Sequence, residues 1–135
     1  MAPEVILGEG YSFTADFWSI AVCLYEFYCG AVPFGDNADD PMDVYVAIVK
    51  TELAFPKFIK DKDFISLMKN MLCKNTVKRL IKLSLIKKHE WFVNFNFEKL
   101  ESMECEVAYV SKKKIDDSNL VSTTMYTEVA KVIFS

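Results

Sequence analysis

The sequence predicts an all-α fold, and three observations support this prediction. Over the 135 residues, hydrophobic residues make up 52% and aromatic residues 14%, which is enough to bury a core in one domain. Several segments repeat apolar residues at helical spacing behind a residue that favours a helix start. Strand patterns are weak, and only the stretches VAYV and VIFS in the last third could each form a short extended piece.

The first two helical segments lie near the start of the chain. A short helix is expected over residues 3 to 7, because a proline suits the first helical position. The second helix is predicted over residues 14 to 28. Either Ser12 or Thr14 is its expected N-cap, and Gly30 is its expected stop.

The second helix is apolar round its whole circumference. Its apolar residues point in every direction of a helical wheel and comprise Phe17, Trp18, Ile20, Ala21, Val22, Leu24, Tyr25, Phe27 and Tyr28. A helix of this kind must be buried on all sides, and a domain of this length has difficulty surrounding it. We therefore expect a central helix of a larger fold, with neighbours that this chain only partly provides.

Two acidic caps mark the next two helices. Asp40 precedes a proline at the start of the third helix, and Asp61 or Asp63 begins the fourth. The fourth helix carries apolar residues at i, i+3, i+4, i+7 and i+8, which predicts one buried face made of Phe64, Leu67, Met68, Met71 and Leu72.

The remaining part is predicted as a fifth helix followed by a tail. The fifth helix is expected over residues 76 to 91, in one or two pieces, and the periodicity fades beyond Phe97. We therefore predict one helical domain over residues 1–100 and an irregular, partly extended or disordered tail over residues 101–135.

Composition disfavours several classes of protein. A formal net charge of −3 does not suit nucleic-acid binding, and the lysine run at residues 112–114 is expected to be a solvated linker. The four cysteines show no CxxC pair, and the acidic run DNADD lacks the ligand order of a calcium loop. No signal peptide or membrane-spanning stretch is recognised. The expectation is a cytoplasmic protein with no metal, nucleic-acid or membrane partner.

An ordered set of motifs resembles the protein kinases. Along the chain these motifs are APE at 2–4, DFWSIAVCLYEF at 16–27, GAVPF at 30–34, KRL at 78–80 and HEWF at 89–92. The likeness is to the C-terminal part of the large kinase lobe (helices EF to I), from the end of the activation segment onward. Within the family, the chain is most similar to the AGC group and its cGMP-dependent kinases, and the tail resembles an AGC-type tail.

The resemblance implies a parent Ser/Thr kinase that transfers the γ-phosphate of Mg-ATP to basic protein substrates, with cGMP bound at a separate regulatory domain. The Gly-rich loop, strand lysine, His-Arg-Asp and Asp-Phe-Gly motifs of that reaction are absent from this sequence. We therefore expect an inactive substrate-side and structural portion that binds no cofactor itself and needs the remainder of the kinase domain as partner. The alternative is a non-catalytic helical module that docks partners through its third helix and the GAVPF loop.

The resemblance also assigns roles to individual residues. Glu4 and Arg79 match a buried ion pair, where the alternative is two unrelated surface charges. Asp16 and Trp18 match anchors of the central helix, although Asp16 also suits the helix dipole. Glu26 matches a glutamate that pairs with a substrate arginine, where the alternative is an ion pair within the chain.

Other positions carry no catalytic prediction. The single histidine, His89, matches a packing motif and is expected to be structural. Phe17 and Ala21 depart from the tryptophan and glycine that are usual in the family, which leaves a divergent or non-catalytic relative open.

Overall fold

The computed structural model describes residues 1–10 and 12–106, and this part of the chain is helical and contains no strand. In order, its elements are α1 Pro3–Ile6, α2 Thr14–Cys29, α3 Pro41–Lys50, α4 Lys62–Met71, α5 Leu83–Ile86, a 3-10 helix at Glu90–Phe92 and α6 Phe97–Glu101. The prediction of an all-α fold is confirmed. The stretches VAYV and VIFS and the lysine run lie outside the described residues.

Short local signals set the ends of three helices as predicted. The Asp40 carboxylate accepts a hydrogen bond from the Met42 amide at 2.7 Å at the start of α3. Asp61 caps α4 by accepting from the Phe64 amide at 2.9 Å. Gly30 ends α2 with φ of 75°, a left-handed conformation that glycine adopts without steric cost. These boundaries are confirmed because each depends on residues close in sequence.

The start of α2 differs from the prediction. Phe13 occupies the N-cap position and makes no side-chain cap hydrogen bond. Neither Ser12 nor Thr14 caps the helix, because Thr14 is already its first residue and its hydroxyl donates to Glu4 instead. The hydrogen bond from Thr14 to Glu4 is thus formed in place of a side-chain cap on α2.

The core forms where α4 packs against α2 and the 3-10 helix. The buried face of α4 consists of Phe64, Leu67, Met68 and Met71, as its periodicity predicts. The Phe64 ring stacks on Tyr28 of α2 with centroids 3.9 Å apart, and it lies 5.6 Å from Trp91 of the 3-10 helix. Aromatic pairs of this kind stabilise a core beyond their buried area.

A buried hydroxyl ties α2 to the segment between α3 and α4. Tyr25 donates to the Ala54 carbonyl oxygen at 2.7 Å. Burial is the largest cause that raises the pKa of Tyr25 to about 12, so the hydroxyl keeps its proton and remains a donor at neutral pH.

Only one face of α2 is buried by the described residues. Trp18, Ala21 and Tyr25 lie in the core, whereas Ile20 is 57% and Phe27 is 85% exposed. The described residues thus cover one side of α2, in line with the expectation that this chain provides its neighbours only in part, and burial of the other side stays a prediction. The physical reason for the one-sided burial is a lack of neighbours, because the helices described here pack against a single side of α2.

The predicted fifth helix over residues 76 to 91 is also wrong in most of its length. Helical turns occur only in α5 and in the 3-10 helix. Before them, the Leu80 amide donates to the Asn70 carbonyl oxygen at 2.9 Å, and Asn75 caps a tight turn through the Val77 amide. Arg79 follows this turn and is buried, where it donates hydrogen bonds to Glu4. The turn that places Arg79 beside Glu4 takes the place of a continuous helix.

The described residues divide into two units, Met1–Phe97 and the residues from Glu98 onward. In the second unit, α6 ends in a turn where the Glu104 amide donates to the Lys99 carbonyl oxygen at 2.8 Å, with Met103 at φ of 59°. Helix α6 was not predicted, because the apolar periodicity fades beyond Phe97. The proposed boundary between residues 100 and 101 remains a prediction.

Candidate functional site

The structure brings Glu4 of α1 and Arg79 together as a buried, two-pronged ion pair. Arg79 Nη1 donates to Glu4 Oε1 at 2.7 Å, and Nη2 donates to Glu4 Oε2 at 2.9 Å. Only 4% of Glu4 and 3% of Arg79 is exposed. This parallel arrangement fits the planar guanidinium to the carboxylate, and removing one partner of such a pair typically destabilises a protein by ~3–5 kcal/mol.

Every N–H group of the Arg79 guanidinium finds an acceptor. Besides the two bonds to Glu4, Nε donates to the Cys73 carbonyl oxygen at 2.8 Å, Nη1 to that of Thr14 at 3.1 Å and Nη2 to that of Lys74 at 3.3 Å. A guanidinium has five such donors. A buried charge is costly unless it is fully hydrogen-bonded, and this condition is met here.

Electrostatics hold Glu4 in its charged form. The hydrogen bond from Arg79 is the largest cause that lowers the pKa of Glu4 below its ordinary value of 4.5, and burial acts in the opposite direction. A smaller contribution comes from the hydroxyl of Thr14, which donates to Glu4 Oε1 at 3.1 Å. The pair is therefore ionised at neutral pH.

Trp18 connects the ion pair to the core. Its ring is 1% exposed, and the Arg79 guanidinium carbon lies 4.9 Å from the ring centroid, within the range of a cation–π contact. Phe34 stacks on the ring at 5.7 Å with an interplanar angle of 10°. Asp16, the other residue matched to an anchor, is exposed in the first turn of α2.

Glu26 lies apart from the ion pair, toward the C-terminal end of α2. It is exposed, and within residues 1–10 and 12–106 no lysine or arginine forms an ion pair with it. The structure places Glu26 beside the exposed part of α2 and away from the Glu4–Arg79 site. The carboxylate is thus accessible for a contact with another molecule.

The exposed face of α2 is an apolar stripe that runs opposite its buried face. We define the α2 stripe as Phe13, Ile20, Cys23 and Phe27, which recur at helical spacing and are all exposed. Asp16 is also exposed and lies between Phe13 and Ile20 on this face, so the uninterrupted apolar part consists of Ile20, Cys23 and Phe27. Exposed apolar residues grouped on one helix face mark surfaces that contact another partner.

His89 has a structural place. Its Nδ1 accepts a hydrogen bond from the Trp91 amide at 3.2 Å and so caps the 3-10 helix, and its Nε2 lies 3.3 Å from the Ser66 hydroxyl oxygen. The Trp91 indole in turn donates to Asp61 at 3.2 Å. This agrees with the packing role expected for His89.

The described residues offer little other site chemistry. Among them, no group of three His, Cys, Asp or Glu side chains is placed to hold a metal ion, and no disulfide joins the cysteines. A search of the same residues for a helix of sufficient length and apolarity to cross a membrane finds none.

Thr14 is the site residue that sequence reasoning assigned wrongly. As a threonine at a helix start it was a natural N-cap candidate. The available signal was its place between the APE and DFWSIAVCLYEF motifs. Its contacts with Glu4 and with Arg79, which is 65 positions away, are visible only in the folded structure.

Comparison with known proteins agrees with the motifs. The family model for the protein kinase domain matches residues 1–92. The chain is similar to a cGMP-dependent protein kinase of Toxoplasma gondii, with 47% identity over 105 residues that cover 74% of the chain and 10% of that relative. A cGMP-dependent protein kinase of Eimeria tenella is 42% identical over 120 residues, which cover 85% and 12%.

A less similar relative is also a protein kinase. The catalytic subunit of a cAMP-dependent protein kinase of Arthrobotrys oligospora is 32% identical over 114 residues, which cover 82% of the chain and 22% of that relative. The chain therefore spans a minor part of the length of each of these proteins.

Proposed function

This chain belongs to the protein kinase family, and from that premise we propose that it is the substrate-side and structural portion of a Ser/Thr protein kinase of the cGMP-dependent type. The parent would transfer the γ-phosphate of ATP to serine or threonine in basic protein substrates, in the cytoplasm. The Glu4–Arg79 pair carries the proposal, because it joins the first and fourth of the five motifs with the geometry that the resemblance implies.

The α2 stripe supports the proposed partner, which is the remainder of the kinase domain. Its residues are apolar and exposed, and they lie opposite the face that packs against α4. Covering about 100 Å² of apolar surface contributes roughly 2.5 kcal/mol. A domain portion that supplies helices to this face would thus stabilise the fold considerably.

Glu26 is the proposed substrate contact. It is an exposed acid on α2 that lacks a basic partner among the residues the structure describes. A carboxylate in this state binds a guanidinium through charge-assisted hydrogen bonds. Its proposed role is to select an arginine in the substrate peptide.

Mg-ATP does not fit the residues of this chain. The sequence contains none of the four motifs that hold nucleotide and magnesium in kinases, and the described side chains form no three-ligand metal cluster. Mg-ATP binding, and regulation by cGMP at a separate domain, accordingly belong to the proposed parent. No step of phosphoryl transfer is assigned to residues of this chain.

A chimera tests the proposal. In the Toxoplasma gondii cGMP-dependent kinase, the matching segment is replaced by this chain, and phosphorylation of a basic serine peptide is measured. We expect a cGMP-stimulated kinase, because this chain is 47% identical to that relative over 105 residues and contains the Glu4–Arg79 ion pair. In the same series, calorimetry of the isolated 135-residue chain with Mg-ATP is expected to show no saturable heat.

Two outcomes would contradict the proposal. A chimera that folds and binds ATP yet phosphorylates nothing would show that the chain is not a competent kinase portion. Saturable nucleotide binding by the isolated chain would show that the assigned division of roles is wrong. As a matched control, the chimera carrying Arg79→Ala is expected to lose stability and activity together.

A second candidate function has one observation in its favour. Helix α3 exposes Met42 and Val46, which gives an apolar docking surface independent of α2. In a non-catalytic interaction module, the isolated chain should be monomeric and unfold in one sharp thermal transition. Phe34 of the GAVPF loop is buried against Trp18, so that part of the loop is not available for docking.

A further inference from the structure

The hydroxyl and the carbonyl oxygen of Thr14 both contact the buried ion pair. Its hydroxyl donates to Glu4 Oε1 at 3.1 Å, and its carbonyl oxygen accepts from Arg79 Nη1 at 3.1 Å. The same Nη1 donates to Glu4 Oε1 at 2.7 Å. The three residues therefore close a ring of hydrogen bonds, in which Thr14 contacts both charged partners.

The side chain of Thr14 serves this contact and not its own helix. Thr14 is the first residue of α2, and the preceding N-cap, Phe13, provides no side-chain hydrogen bond. A threonine in the N-cap position typically contributes about 1 kcal/mol. The chain forgoes this local stabilisation, and the hydroxyl reaches a residue ten positions away.

We propose that Thr14 is a positioning residue that orients the Glu4 carboxylate toward Arg79 and links the first turn of α2 to the ion pair. Without the hydroxyl, Oε1 loses one of the two donors that reach it from other residues, and the two-pronged orientation of the carboxylate is held less firmly. If the chain is a kinase portion, as the proposed function states, the contacts of Thr14 couple α2, the central helix, to Glu4 at the end of the activation segment. The hydrogen-bonding role itself does not depend on the proposed function.

The other charged groups near Glu4 do not take over this role. Glu9 and Lys74 line the same cavity of about 330 Å³ as Glu4. The ammonium of Lys74 donates to the Thr51 carbonyl oxygen and lies 5.2 Å from the centre of the Phe34 ring. Glu9 is exposed. Among the residues that the structure describes, the donors that reach the Glu4 carboxylate from other elements are those of Arg79 and Thr14.

A titration of Glu4 tests the proposal in the full 135-residue chain. The side-chain carboxyl signal of Glu4 is followed by NMR as the pH is lowered, in the wild type, in Thr14→Ser and in Thr14→Val. We expect Thr14→Val to raise the midpoint of the Glu4 titration, because a donor to the charged form is lost. Thr14→Ser keeps the hydroxyl and should titrate like the wild type.

The controls separate this role from general destabilisation. Thr76→Val, at a threonine that lines the cavity without a hydrogen bond to Glu4, should leave the midpoint unchanged. If Thr14→Val does not fold, Thr14→Ala provides the same comparison with a smaller side chain. A folded Thr14→Val or Thr14→Ala variant with the wild-type Glu4 midpoint would overturn the proposal. The chimera experiment is independent, so an inactive chimera would refute the proposed function and leave this inference standing.

Discussion

At the scale of single residues, Arg79 shows why the ion pair requires an arginine. Its five N–H groups meet five acceptors, on Glu4 and on the carbonyl oxygens of Cys73, Lys74 and Thr14. A lysine presents three donors at one point and cannot span two carboxylate oxygens in parallel. The KRL motif thus depends on the geometry of the guanidinium and not only on its charge.

Glu26 yields a residue-scale prediction for substrate selection. In the chimera, Glu26→Gln should raise KM for a peptide with an arginine at the contacted position by about three- to tenfold, since an accessible ion pair contributes roughly 1 kcal/mol. The value of kcat should change little, because the contact lies outside the reacting groups. Steady-state kinetics with arginine- and glutamine-containing peptides measures both effects.

The matched control is Glu90→Gln, an exposed glutamate on the 3-10 helix, which should leave both peptides unaffected. An equal rise of KM for the arginine and glutamine peptides in Glu26→Gln would contradict direct recognition of the arginine.

At the scale of elements, α2 carries large apolar side chains on both its buried and its exposed face, and its exposed face also carries Asp16, Ser19 and Glu26. Trp18 and Tyr25 pack in the core, whereas Ile20 and Phe27 remain at the surface. The helix sequence specifies a segment to be buried, and the number of available neighbours decides which face is covered. The bounds of α2 could therefore be predicted from the sequence, whereas the side that is covered depends on which neighbours are present.

The α2 stripe gives a prediction at this scale. The double variant Ile20→Thr with Phe27→Ser should change the free energy of unfolding of the isolated chain by no more than about 0.5 kcal/mol per site, because both side chains are exposed. It should also bind less of an apolar fluorescent dye. In the chimera, the same variant should lose activity, since the stripe is then the surface against which the rest of the domain packs.

Val77→Ser serves as the control, because Val77 is apolar and 92% exposed but lies outside the stripe. It should leave activity of the chimera intact. Full activity in the double variant would show that the stripe is not the contact surface for the remainder of the domain.

At the scale of the whole molecule, the ion pair joins the beginning of the unit Met1–Phe97 to a distant part of the same unit. Glu4 and Arg79 are 75 positions apart, and Trp18 of α2 lies against the guanidinium. A single buried pair therefore holds together α1, the start of α2 and the loop after α4. Losing it should affect cooperative unfolding of Met1–Phe97 and not only local structure.

Acid unfolding follows from the same pair. The pKa of Glu4 in the folded chain lies below its ordinary value of 4.5, chiefly because of the Arg79 hydrogen bond. The folded state thus binds fewer protons here than the unfolded state, so this stabilisation is complete above about pH 4.5 and is lost as the pH falls through the folded pKa. Denaturant titrations from pH 7 to pH 3 should show this decline.

Glu4→Gln removes the titrating group and should lower stability at pH 7 while weakening the dependence on pH. Some dependence of stability on pH should persist, because the pKa of Asp61 is lowered as well. The main cause there is the hydrogen bond from the Phe64 amide, and the side chains of Tyr28 and Trp91 add to it. Glu9→Gln, at an exposed glutamate, should behave like the wild type. An unchanged acid profile in Glu4→Gln would contradict the assigned role of the pair.

The sequence by itself determined the helical class, the approximate bounds of α1 and α2 and the starts of α3 and α4. Asp40, Asp61 and Gly30 act on backbone groups within a few positions, and the buried face of α4 follows from spacing alone. The ordered motifs also identified Glu4 and Arg79 as partners across the chain. These features are local or carried by recognisable patterns, so they can be read before any fold is known.

Only the tertiary structure decided the contacts that override local preference. Thr14 gives its hydroxyl to Glu4 instead of capping α2, residues after Asn75 turn inward with Arg79 instead of forming a helix, and one side of α2 stays exposed. In each case the deciding energy comes from groups distant in sequence. A buried charge is costly unless it is paired, and an apolar face is buried only where another segment packs on it. The positions of the pairing residue and of the covering segment depend on how the whole chain packs.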